Sequence, residues 1–178
     1  MKTLVIHPDD RTTDFLKVIY SNEPWTIINF NLSKNRLKQE IKAHDRIIML
    51  GHGDGHGLYG FGRMVIDSNL VYLLREKECV CIWCNANFFA PIYKLKGFYT
   101  GMIVSDIEEA ILYCVNFKHS SDIDESNKLF AESIKNGIIL EPKLMLDKVK
   151  ESYKSDDNNV IMFNMQNLYY CEPQQVET

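Results

Sequence analysis

Two apolar runs in this chain end on residues with chemistry to offer. Arg46-Ile47-Ile48-Met49-Leu50 leads into Gly51-His52-Gly53-Asp54-Gly55-His56-Gly57, and Glu78-Cys79-Val80-Cys81-Ile82-Trp83 leads into Cys84. A cysteine nucleophile needs a neighbour that takes its proton, and N–H donors for the oxyanion that forms when sulfur attacks a carbonyl. His52 is the candidate base and Cys84 the candidate nucleophile. The N–H groups of Gly53 and Cys84 are the candidate oxyanion hole, because glycine after the histidine lets the backbone approach closely. Both runs read as strands. If they are neighbours in a parallel sheet, their carboxyl ends share the edge where open α/β sheets hold their active sites.

The same residues admit other chemistry. His52, Asp54 and His56 place three ligand types within five residues on a glycine-rich turn, the pattern of an alternative metal site and a metal-dependent hydrolase. Cys81 and Cys84 do not extend it, since residues three apart on a strand face opposite sides. The glycine run does not read as a phosphate cradle, because such loops follow a first strand and open onto a helix. Asp106, with Glu108 and Glu109, after the fifth expected strand, is a candidate for a specificity pocket for a basic group, although a helix amino terminus attracts acids on its own account.

The elements that must position these residues follow from periodicity. Lys2 to Ile6 reads as a buried strand ending at His7, followed by a helix begun at Thr12 or Thr13. Trp25 to Asn31 is the second strand, and Ser33 caps a helix through Leu37, Ile41 and Ala43. Arg46 to Leu50 is the third, Gly57 to Asp67 a hairpin or flap, and Ser68 begins a short helix. Lys77 to Trp83 has the near-continuous apolar character of a central parallel strand. Asn85 to Pro91 reads as a loop and Gly97 to Val104 as the fifth strand. Ser105 caps Asp106 to Val115, with Glu108 closing a capping box. Helices follow over Asp122 to Asn136 and from Pro142, then a late strand over Val160 to Phe163. Alternating strands and helices with short links predict an α/β fold, three-layer, with a mostly parallel central sheet.

Composition bounds the rest. At 178 residues, 46% hydrophobic and 25% charged, the chain suits one ordered domain over 1–171 with a polar tail over 172–178. A net charge of -4 gives no electrostatic reason to expect a nucleic-acid partner, and leaves open only a local basic patch. No run reaches the ~20 apolar residues that cross a bilayer, and the amino terminus lacks a signal-peptide pattern, so no membrane partner and a cytoplasmic location are expected. Five cysteines without a secretory signal read as thiols.

Asp45 to Gly53, followed by Gly57-Leu58-Tyr59-Gly60 and then by Lys77 to Cys84, resembles the caspase-like cysteine peptidases, the group of caspases, metacaspases, gingipains and clostripain. In that pattern an apolar strand ends in His-Gly, a flap follows, and the next strand ends in the catalytic cysteine. The likeness covers about Met1 to Val104. It implies a cysteine endopeptidase working through a Cys84–His52 dyad by way of an acyl-thioester, with Gly53 and Cys84 as oxyanion donors, no cofactor, and a polypeptide substrate or protein partner. A catalytically silent caspase-like domain acting as a binding or regulatory module is the alternative. Trp83, Ile82 and Asn85-Ala86-Asn87 depart from the pattern around the cysteine, and they carry no substrate preference over.

Overall fold

The structure is a computed structural model describing residues 1–172; of the expected tail over 172–178, all but Glu172 lies outside the described residues. In chain order it has β1 (Thr3–Ile6), a 3-10 helix (Arg11–Ile19), β2 (Thr26–Ile28), α1 (Lys34–Ala43), β3 (Arg46–Leu50), and the small strands β4 (Gly53–Asp54), β5 (Gly57–Gly60) and β6 (Arg63–Ile66). A 3-10 turn (Ser68–Leu70) runs into α2 (Val71–Leu74), then β7 (Glu78–Ile82), α3 (Ala86–Ile92), β8 (Lys96–Thr100), α4 (Ile107–Leu112), α5 (Ser120–Gly137), α6 (Pro142–Ser152), α7 (Asn159–Gln166) and β9 (Leu168–Cys171). The central sheet has the order β2-β1-β3-β7-β8-β9 and is parallel except for β9, which runs antiparallel to β8. The fold is therefore α/β with a mixed, mostly parallel six-stranded sheet flanked by helices.

The pleat sorts the core into two layers. Leu4, Ile6, Ile47, Met49, Cys79 and Cys81 face α1, α2, α3 and the β5–β6 hairpin, through Leu37, Ile41, Leu74, Phe89 and Leu58. Val5, Ile48, Leu50, Val80, Ile82 and Phe98 face the 3-10 helix, α5, α6 and α7, through Leu16, Ile19, Phe130, Val149 and Ile161. Strands buried on both faces need apolar side chains at every position, and β1 and β3 come close to that. Arg46 is the charged exception. It is buried, donates from Nη1 to the Ile138 carbonyl at 2.7 Å and pairs with Glu78 on β7, so the charge is compensated at the amino edge of the sheet.

Several expected elements change. Asn85 to Pro91 is not a loop: Asn85 takes a left-handed turn at φ 65 and α3 starts directly after it, with Phe89 and Ala90 buried and Pro91 in the last turn. Val160 to Phe163 is not a strand but the first half of α7, capped by the Asn158 side chain, and the late strand is β9. The fifth strand stops at Thr100, because Val104 is held through both its N–H and its carbonyl by the Asn164 side chain of α7. The cap of α4 is Asp106 rather than Ser105, and the reciprocal acid is Glu109 rather than Glu108. Asp10 likewise caps the first helix, two or three residues before the threonines expected to begin it. Among the described residues no helix is long and apolar enough to cross a membrane.

Gly97 has φ +142, and a Cβ there would land on the Cys79 carbonyl of the neighbouring strand. Gly97→Ala is expected to destabilise the fold by about 3 kcal/mol or more, read as a lower urea midpoint. Gly62→Ala, at φ +72 but with nothing within 4 Å, costs only about 1 to 2 kcal/mol.

Candidate active site

The register of β3 on β7 pairs Arg46 with Glu78 and Leu50 with Ile82, each with the residue thirty-two places further on. His52 and Cys84 stand in the same relation, each two residues past the end of its strand. Even-numbered positions of both strands, Ile48 and Leu50, Val80 and Ile82, face the 3-10 helix and α5. His52 and Cys84 emerge on that side and line one cavity of about 30 Å³ with Thr13, Leu16, Gly51, Ile103 and Phe130. That volume is room for a water or two. The cavity lies past the carboxyl ends of β3 and β7, with the 3-10 helix that follows β1 as one wall, on the edge of the sheet where α/β folds hold their ligands.

Cys84 sits in a strand-to-helix turn fixed by three bonds. The Thr100 hydroxyl donates to the Trp83 carbonyl at 2.8 Å, Asn85 N–H to the Gly101 carbonyl at 3.0 Å, and Ala86 N–H to the Trp83 carbonyl at 3.3 Å. The thiol lies 3.7 Å from the Ile103 carbonyl and 3.9 Å from Glu109 Oε1. Glu109 is itself held by Ser105, whose N–H and hydroxyl donate to Oε2 at 2.7 and 2.9 Å. Burial, and next the Glu109 carboxylate, push the Cys84 thiol up to about 11. Cys79 and Cys81, buried inside β7, are pushed up further by burial.

His52 Nε2 lies 2.6 Å from the Thr12 hydroxyl and 4.0 Å from Asp10 Oδ1, and its side chain is 41% exposed. Among the described residues no hydrogen bond joins His52 to Cys84; the two share a cavity wall. Gly53 must be glycine, since any Cβ would run into the Trp83 ring. Trp83 points to the opposite face from Cys84, buried under the flap, and donates from Nε1 to the Asp54 carbonyl at 3.0 Å. Tyr59 N–H donates to the His52 carbonyl at 2.8 Å, which makes Gly53 and Leu58 a pair not hydrogen-bonded to each other. The N–H of Gly53 is therefore unused by β5. That of Cys84 has no partner among the described residues.

The metal alternative does not assemble. Asp54 accepts from His56 N–H at 2.7 Å and from the Tyr59 hydroxyl at 2.9 Å, His56 stands 88% exposed, and His52 turns to Thr12. Among the described residues no three His, Cys, Asp or Glu side chains are grouped to hold an ion. Asp106 is spent as a cap on Glu109 N–H at 2.8 Å, and it also lines a hollow of about 480 Å³ with Thr12, Ser105, Glu108 and Asp124.

Two neighbours of the pair escaped the sequence reading, Asp10 and Thr12; Glu109, expected with Asp106 and Glu108 at a specificity pocket, stands beside Cys84 instead. The Asp106-x-x-Glu109 spacing was visible as a second capping box. The contact between Thr12 and His52, forty residues apart, had no local signal. His7 does face this edge, as its place at the end of β1 suggested. It is buried between the Tyr20 hydroxyl at 2.8 Å and the Thr13 hydroxyl at 3.0 Å.

Burial, and next Lys17, lower the His7 pKa from 6.5 to about 4. Between those values the unfolded chain binds a proton that the folded chain refuses, so stability is lost as pH falls from 6.5 to 4. The loss from His7 is about 3 kcal/mol, and chemical unfolding of a His7→Gln variant should lack that acid slope. Glu109→Gln keeps an oxygen for Ser105 but removes the charge beside sulfur. Iodoacetamide should then label Cys84 faster at pH 8, by about tenfold, because more of the sulfur is thiolate once the carboxylate is gone; an unchanged rate would mean that burial alone sets the thiol.

Comparison with models of known protein families, with curated proteins and with solved structures finds no match for this chain.

Proposed function

We propose that this protein is a cysteine-dependent peptide hydrolase of caspase-like type, with Cys84 as nucleophile and His52 as general base. The observation that carries the reading is the shared cavity: a histidine and a cysteine at equivalent register positions, past the carboxyl ends of adjacent parallel strands and on the same face. His52 takes the thiol proton as sulfur bonds to the peptide carbonyl carbon. The oxyanion meets the N–H groups of Gly53 and Cys84, and collapse expels the amine, which leaves with the proton from His52. Water then attacks the thioester by the same route and frees the thiol. The hollow bounded by Asp106, Glu108 and Asp124 supports a basic side chain in the substrate.

A second reading, a catalytically silent binding or regulatory module, is favoured by a specific observation. The thiol is pushed up to about 11, and the cavity beside it holds about 30 Å³. Peptidyl acyloxymethyl ketones bearing Arg, Lys, Asp or Leu next to the reactive group separate the two when labelling is mapped by mass spectrometry. On the hydrolase reading Cys84 is labelled ahead of the other four cysteines, the Arg and Lys reagents lead, and His52→Ala slows labelling by about 100-fold. Labelling of Cys84 by iodoacetamide at high pH, with none by any peptidyl reagent at neutral pH, would leave the binding module.

A further inference from the structure

We infer that Thr12, backed by Asp10, is a positioning residue that fixes which ring nitrogen of His52 carries the proton. The inference rests on the reading of His52 as the base and adds residues from a different element, the start of the 3-10 helix. The Thr12 hydroxyl lies 2.7 Å from Asp10 Oδ1 and 2.6 Å from His52 Nε2. Hydrogen bonds from the Thr12 side chain and backbone hold the Asp10 carboxyl below its ordinary range, so it is ionised at neutral pH and can only accept. A hydroxyl has one proton. With that proton committed to Asp10, the Thr12 oxygen faces Nε2 as an acceptor, and Nε2 is the protonated nitrogen. Nδ1, which has no hydrogen-bond partner among the described residues, is left with the lone pair that a base requires.

The segment is braced so that this geometry holds. The Asp10 side chain accepts from Thr12 N–H at 2.9 Å as the cap of its helix. Thr13 donates to the Asp10 carbonyl at 3.1 Å and meets the buried His7. A carboxylate, a hydroxyl and an imidazole thus run in line from the helix cap to the cavity that Cys84 lines. A third group that orients the base is what a nucleophile–base pair needs, because a wrong tautomer disables the base even with the ring in place.

The test uses the full chain and two independent readouts. Long-range proton–nitrogen NMR of the His52 ring should show Nε2 protonated in the wild type. In Thr12→Val both ring nitrogens should move toward the averaged values of a mobile imidazole; Thr12→Ser should restore them, and Asp10→Asn should move them the same way by less. A ring protonated on Nδ1, or one indifferent to Thr12→Val, overturns the inference. The second readout is iodoacetamide labelling of Cys84 at neutral pH. Thr12→Val should slow it about tenfold in the wild type and not at all in a His52→Ala background. Equal slowing in both backgrounds assigns Thr12 to the fold and overturns the inference. If the NMR behaves as expected while His52→Ala leaves labelling unchanged, the positioning role stands and the His52–Cys84 dyad is what fails.

Discussion

The site depends on the parallel pairing of β3 with β7. Parallel neighbours carry their residues in step, so a fixed offset along the strands is inherited by whatever follows them. A histidine and a cysteine separated by that same offset must arrive together. The pleat then decides the face, and a slip of one residue would send Cys84 to the flap side and Trp83 to the helix side. The register is pinned at the amino edge by the buried Arg46 and its partner Glu78, whose separation would leave an uncompensated charge. It is pinned again at the carboxyl edge, where Gly51 N–H continues the ladder to the Ile82 carbonyl at 3.1 Å.

The packing that assembles this edge also sets its electrostatics. Trp83 fills the flap side so closely that Gly53 has no room for a side chain, which fixes the backbone just past His52. On the other side Leu16, Ile103 and Phe130 give the cavity an apolar wall, which penalises a charge that forms beside it. Cys84 therefore sits as a thiol, with the Glu109 carboxylate reinforcing what burial begins. Glu109 has its own reason to be there. It completes the start of α4 by accepting from Ser105, so one carboxylate serves both the helix and the sulfur's surroundings.

Strand placement was legible because it obeys period and composition. Arg46 to Leu50 has five apolar or amphipathic positions between polar breaks, a length and composition that suit a strand buried on both faces. The helices flanking the cysteine were harder. Asn85-Ala86-Asn87 and Pro91 look like loop formers, yet asparagine tolerates the left-handed turn that lets α3 start at once, and proline is carried in the final turn. Val160 to Phe163 is β-branched and aromatic, but a short apolar run does not distinguish strand from buried helix. The Asn158 cap decided it, with its side chain accepting from Val160 and Ile161 N–H. The cap of α4 slipped by one because Ser105 and Asp106 are both good caps and each has a glutamate three places on. His52 and Cys84 were readable as strand-end residues. Thr12 and Asp10 were not, because they reach His52 only through the crossover that lays the first helix over the carboxyl edge.

That crossover bears on how a protonated thiol could act at all. A cysteine can be primed in two ways, as a preformed thiolate beside an imidazolium or as a thiol that gives up its proton only as it attacks. The first requires surroundings that favour an anion at sulfur, and here a carboxylate 3.9 Å away and an apolar wall oppose it. On the proposed reading the second remains, and it demands more of the base: His52 must present an unprotonated nitrogen at the moment of attack and must bear a positive charge once it has the proton. The ionised Asp10, 4.0 Å from Nε2 and joined to it through Thr12, offsets that charge. The two carboxylates therefore pull the resting pair in opposite directions: Glu109 disfavours the thiolate, and Asp10 favours the imidazolium. On the proposed reading the proton stays on sulfur until an incoming carbonyl takes the electrons, and Asp10 then steadies it on His52.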